Sequence, residues 1–168
     1  MKRGWLMRID ATAAIDHPGR RYPFALEQSA AEFASLGEAR FADSICVQGE
    51  YWAEQGSVLI QGNIAARLDV RCSRCLDPMQ YPIEIDFTGM YAREEDVEEC
   101  VYGLEGKEMV LDKLILDEVS LAMPAQFLCM EDCKGLCPVC GVNKNHVSCD
   151  CDTSSNGLNP FEKLKDLF

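Results

Sequence analysis

Six of the ten cysteines of this 168-residue chain fall within residues 129–151, CMEDCKGLCPVCGVNKNHVSCDC, and they fall in pairs. The pairs are Cys129 with Cys133, Cys137 with Cys140 and Cys149 with Cys151. A fourth pair, Cys72 and Cys75, lies far upstream in RCSRCLDP. Four short-spaced pairs supply eight thiols, enough for two closed tetrahedral sites of the four-thiolate kind in which zinc is held structurally. In Cys137-Pro-Val-Cys140-Gly141 the proline stiffens the turn. The glycine permits positive φ, so backbone N–H groups turn back toward sulfur.

Spacing predicts one local site from Cys137, Cys140, Cys149 and Cys151, closing the loop 141–148. It predicts one long-range site from Cys129 and Cys133 with Cys72 and Cys75, tying the tail to the upstream chain. The alternative joins Cys129 and Cys133 to Cys137 and Cys140 and leaves Cys72 and Cys75 free. His146, inside the loop, is an alternative to one thiolate.

Two other chemistries use paired cysteines. A disulfide framework suits small secreted proteins, but the opening MKRGWLMRID lacks the apolar core of a signal peptide. The chain is therefore expected in the cytoplasm. A redox couple at Cys72 and Cys75 is best placed at a helix N-terminus, which lowers the thiol pKa. Here the pair follows a strand-like run and precedes the turn Leu76-Asp77-Pro78. Cys46 and Cys100 have no metal-spaced neighbour and read as ordinary thiols.

Charge narrows the choice of partner. The formal net charge is −12, and residues 41–123 hold 17 acidic against 6 basic side chains. Two four-thiolate zinc sites would bring the total to about −16. Nucleic-acid affinity rests on phosphate neutralisation by Lys and Arg, so a basic protein suits this chain better than bulk RNA. Arg67, Arg71 and Arg74 form the one basic cluster of the acidic region. They read as internal ion pairs or as a local RNA phosphate contact. No apolar run approaches the ~20 residues of a membrane span.

The centre of the chain alternates with period two. Ile45, Val47, Gly49 and Tyr51 share one parity, and so do Val58, Ile60, Ile64, Ala66, Leu68 and Val70. Ile83, Ile85, Phe87 and Tyr91 follow after the Cys72–Cys75 turn. These are half-buried antiparallel strands, and the cysteine pair sits at the end of the hairpin joining two of them. Shorter strands are expected near residues 6–9, 22–26 and 100–110, the last interrupted by Gly103 and Gly106. Residues 29–36 read as a short helix capped by Ser29, and residues 93–99 as a solvated acidic loop.

Residues 111–122 carry the clearest helical pattern, with Leu111, Leu114, Ile115, Glu118, Leu121 and Ala122 on one face, Asp112 as cap and Pro124 as stop. Asn159-Pro160-Phe161-Glu162 reads as a second helix start. Phe161, Leu164 and Phe168 stripe that helix as a docked tail or a partner-binding peptide.

The expected class is α+β, an antiparallel, barrel-like sheet with a covering helix. Residues 1–128 form that domain, 129–152 a Cys-rich zinc module, and 153–168 a linker and terminal helix. There is no nucleophile elbow, phosphate loop or GxGxxG, and all-thiolate metal sites lack the open ligand position of catalytic zinc. The sequence reads as a binding protein rather than an enzyme.

Five stretches carry a resemblance: RCSRCLDP (71–78), DFTGMY (86–91), LDKLILDEVSLAMP (111–124), CKGLCPVCGVNKN (133–145) and NPFEKLKDLF (159–168). Through them residues 40–168 resemble the YceD family of large ribosomal RNA subunit accumulation proteins. The resemblance implies a non-enzymatic role in ribosome biogenesis, in accumulation of the large-subunit RNA. It also implies, as a partner, a small basic zinc-ribbon protein of the large subunit, whose gene commonly neighbours the family's. The ligand assignment rests on spacing alone.

Overall fold

The computed structural model describes residues 7–33, 36–93 and 102–151. The acidic run beyond Arg93, Cys100, the linker and the expected terminal helix lie outside the described residues.

Period-two patterning produces the long strands. Strand β4 spans Ser44–Glu54, β5 Ser57–Arg71 and β6 Pro78–Ala92. They pair antiparallel in sequence order, β5 against β6 from Val58↔Tyr91 to Arg71↔Pro78. Strand β2 (Tyr22–Ser29) adds to the outside of β4, and the short β3 (Arg40–Phe41) pairs with β5 just beyond the start of β4. On the other flank lie β7 (Tyr102–Glu105), β8 (Glu108–Val110) and β1 (Arg8–Asp10). The sheet order is β1-β8-β7-β6-β5-β4-β2, and the sheet curls into a half-barrel. One pairing departs from the antiparallel expectation: β6 and β7 run parallel, Tyr91 opposite Tyr102. Gly103 lies within β7 rather than interrupting a strand.

The inward parity of each long strand is the core. Ile45, Val47, Val58, Ile60, Ile64, Leu68, Phe87 and Tyr91 are all buried. One inward row is different. Gly49 faces Gly62 across β4 and β5, and a Cβ on either would overlap backbone of the opposite strand. Two glycines meeting at one register position let the strands approach this closely.

Helix α2 (Asp112–Ala122) covers β6. Gly89 of β6 leaves the room that the Leu114 side chain fills. The buried stripe is Leu111, Leu114, Ile115 and Val119, an i, i+3, i+4, i+8 set. The expected stripe was wrong at its end: Leu121 is 82% exposed. Asp112 does not cap the helix either. Its Oδ1 accepts the Met7 N–H at 2.8 Å, so it ties α2 to the chain entering β1. Burial pushes the Asp112 carboxyl up, against the pull of the Met7 hydrogen bond.

The expected helix after Ser29 is a single 3-10 turn, Ala30–Glu32, without a side-chain cap bond. Ser29 ends β2 instead, opposite Ser44. A short helix α1 (Thr12–Asp16), unforeseen from the sequence, follows β1 and contacts β4. Among the described residues no helix is long and apolar enough to cross a membrane.

Candidate metal centres

The turn between β5 and β6 and the segment after α2 meet at one end of the sheet. Ser73 N–H donates to the Phe127 carbonyl at 2.7 Å, and Phe127 N–H donates to the Ser73 hydroxyl at 3.1 Å. Phe127 also packs edge-on against Tyr81 of β6, with ring centroids 5.2 Å apart. This seam delivers the chain to Cys129.

Two clusters of four sulfurs result. Cys72, Cys75, Cys129 and Cys133 form the first; Cys137, Cys140, Cys149 and Cys151 form the second. Within each, the four sulfur atoms lie within 4.8 Å of one another. In the first cluster Cys72 Sγ is 3.7 Å from Cys133 Sγ, and Cys75 Sγ is 3.6 Å from Cys129 Sγ. Cys72, Cys75 and Cys133 are buried with Met79 and Leu128 packed against them. The second cluster lies nearer the surface, with Cys140 exposed.

Each cluster is built on the same turn. Leu76 N–H donates to the Cys72 carbonyl at 2.9 Å, and Gly141 N–H to the Cys137 carbonyl at 2.8 Å. Cys72 N–H then reaches the Asp77 carbonyl at 2.9 Å, and Cys137 N–H the Val142 carbonyl at 2.8 Å. The fifth residue has positive φ in both, 64° at Leu76 and 74° at Gly141. The turn aims N–H groups at its first sulfur. Burial pushes the Cys72 thiol up, but N–H groups of Cys75, Cys129 and Arg74 outweigh it and bring it to about 6. N–H groups of Cys140 and Val139 bring Cys137 to about 6 against its burial.

The remaining thiols move the other way. An N–H from Asp77 pulls Cys75 down, but burial and the three sulfurs around it win and push it to about 12. The Cys140 sulfur, then burial, push Cys151 to about 12. Burial raises Cys129; an N–H from Cys151 pulls Cys149 down, but the Cys137 sulfur, burial and the Cys140 sulfur together outweigh it and raise that thiol. The physical content is simple. One thiolate per cluster is stabilised by the backbone, and further negative charge accumulates only against repulsion. A cation at the centre reverses that penalty.

The donor sets fit zinc. Four thiolates without oxygen or nitrogen donors are a soft, closed set. Zn–S bonds of about 2.3 Å place tetrahedral sulfurs about 3.8 Å apart, close to the separations in the first cluster. Zinc would be held by Cys72, Cys75, Cys129 and Cys133, and by Cys137, Cys140, Cys149 and Cys151, as a structural cross-link.

His146, the alternative ligand, meets Asp77 instead, its Nε2 3.2 Å from Oδ2. That contact is the first cause holding the Asp77 carboxyl below its ordinary range. Asp77, Asn143 and Asn145 are contacts that ligand spacing did not flag; their one signal was position inside the cysteine turns.

Two of the three arginines of the basic trio have intramolecular partners. Arg67 pairs with Asp43. Arg74 donates from one guanidinium nitrogen to the carbonyls of Cys133 at 3.2 Å and Glu131 at 3.4 Å. Arg71 is exposed and lines an open groove with Arg40, Asp69 and Gln80.

The family model described as large ribosomal RNA subunit accumulation protein YceD matches residues 60–168. Uncharacterized proteins of Mycobacterium bovis and Mycobacterium tuberculosis are 36% identical over 91 residues, 51% of this chain and 44% of theirs. An Arabidopsis thaliana chloroplast protein, named a large ribosomal RNA subunit accumulation protein YCED homolog, is 36% identical over 64 residues, 37% of this chain and 20% of its own. The matches thus span less than half the length of these curated relatives. No solved structure matches the chain.

Proposed function

The chain belongs to the YceD family, and from that premise we propose that it is a non-enzymatic factor in accumulation of large-subunit ribosomal RNA, a zinc-stapled acidic adaptor for a basic ribosomal component. The observation that carries the mechanism is the closure of all eight paired cysteines into two four-sulfur sets. A closed set has no open position for substrate or water, so its metal stiffens rather than reacts. Zinc supplies cross-linking here. The described residues of 41–123 supply a fixed scaffold with 12 acidic side chains against 6 basic ones.

A basic protein suits this surface better than RNA does. Two of the three clustered guanidiniums already hold intramolecular partners, Asp43 and the 131 and 133 carbonyls. The redox reading of Cys72 and Cys75 is also less favoured. Each sulfur has a neighbour in the downstream pair, Cys133 and Cys129, as metal ligation requires.

Depletion of the protein in cells tests the role. Large-subunit ribosomal RNA should fall relative to small-subunit RNA, and the protein should co-purify with large-subunit precursors in a salt-sensitive manner. Unchanged large-subunit RNA after depletion would refute the role. Elemental analysis of gently purified, reduced protein should return two zinc ions per chain.

A further inference from the structure

The segment between Cys140 and Cys149 closes the second cluster, yet three of its side chains serve the first. Asn145 donates from Nδ2 to the Cys133 sulfur at 3.2 Å, while its Oδ1 accepts the Lys134 N–H at 2.8 Å. Asn143 donates to Asp77 Oδ2 at 2.8 Å, and its own Oδ1 accepts the Asn145 N–H at 3.0 Å. His146 meets the same Asp77 oxygen. That oxygen lies 3.4 Å from the Cys75 sulfur. Two backbone bonds complete the junction: Leu136 N–H to the Arg74 carbonyl at 3.0 Å, and Lys144 N–H to the Gly135 carbonyl at 2.9 Å. The loop thus touches the surroundings of two first-cluster sulfurs, Cys133 directly and Cys75 through Asp77.

We propose that Asn145 is a positioning residue of the first metal centre and that the second centre, by fixing the loop carrying Asn145, governs how tightly the first holds its ion. The inference rests on the reading that both clusters bind metal. An N–H donor on a ligand sulfur spreads its charge and fixes its orientation. Such outer partners typically change metal affinity 10–100-fold. A loop already closed by Cys137, Cys140, Cys149 and Cys151 presents Asn145 without a further ordering cost, whereas an open loop must be ordered at the moment of binding. Linkage makes the effect mutual: filling the first centre tightens the second by the same factor.

The test is chelator competition on the full-length, zinc-loaded chain, with retained ions counted by native mass spectrometry. The wild-type chain should carry two ions. The first-centre step is identified as the one missing from a Cys75→Ser/Cys129→Ser chain. Asn145→Ala should lower the chelator concentration for half-release at that step roughly 10–100-fold. Asn145→Asp keeps the acceptor for Lys134 and removes the donor to sulfur, so it should shift the step at least as far in a chain of nearly unchanged shape. A Cys149→Ser/Cys151→Ser chain should keep one ion and release it about 10-fold more readily than wild type. First-centre midpoints unmoved in both Asn145 variants, or unmoved in the Cys149→Ser/Cys151→Ser chain, overturn the coupling while leaving two bound ions in place. A wild-type chain with fewer than two ions overturns the metal reading, and this inference with it.

Discussion

Leu76 and Gly141 occupy the same place in two copies of one turn, 65 positions apart in the sequence. Both have positive φ, and both donate their N–H to the carbonyl of the cysteine four residues before. Only one is a glycine. The left-handed region costs an ordinary residue about 1–2 kcal/mol, and Leu76 accepts that cost while remaining 51% exposed.

Leu76→Gly should therefore leave stability unchanged or raise it by up to about 1 kcal/mol, because relief of the turn offsets the extra entropy of an unfolded glycine. Gly141→Leu should cost about 1–2 kcal/mol. Chemical denaturation of the two zinc-loaded variants reads both, and equal losses would show that the turns are not equivalent.

Cys133→Ser should remove one of two bound ions and about 3 kcal/mol or more of stability, as loss of a structural metal does. Cys46, exposed on the outward parity of β4, should change to Ser with neither effect. Elemental analysis and thermal melts on the two chains distinguish them.

Metal uptake should expel protons. At neutral pH the metal-free chain keeps protons on the raised thiols Cys75, Cys129, Cys149 and Cys151. Cys72 and Cys137, near 6, have largely lost theirs. Binding needs thiolates, so affinity should rise with pH and fall as protons compete below neutrality. Calorimetry in buffers of different ionisation enthalpy should find at least two protons released per ion, from the two raised thiols in each cluster. Release of none would contradict the assignment.

Gly62→Val puts a branched side chain where β4 backbone already sits. The strands must part, and the cost should be about 3 kcal/mol. Val47→Ala, a cavity at another inward position of β4, should also destabilise but preserve the pairing. Amide exchange along β4 and β5 would separate loosened pairing from simple loss of packing.

The chain's own order determined a good deal. Alternation fixed β4, β5 and β6 and their buried faces, because side-chain direction has period two in any strand. Short spacing fixed the cysteine pairs, because a sharp turn is a property of five residues and needs no tertiary help. Spacing also pointed to which pair joins which but left one alternative open, and the fold chose between them. The choice depended on the β5–β6 hairpin end meeting the segment after α2, through Ser73 and Phe127. The same long-range packing took Asp112 from its cap to Met7, laid β7 parallel to β6, and carried Asn145 to the sulfur of a cluster other than its own. Local patterns specify the pieces and their inward faces. Hydrogen-bond partners distant in sequence are chosen only when the folded sheet brings them within about 3 Å, the range over which such bonds act.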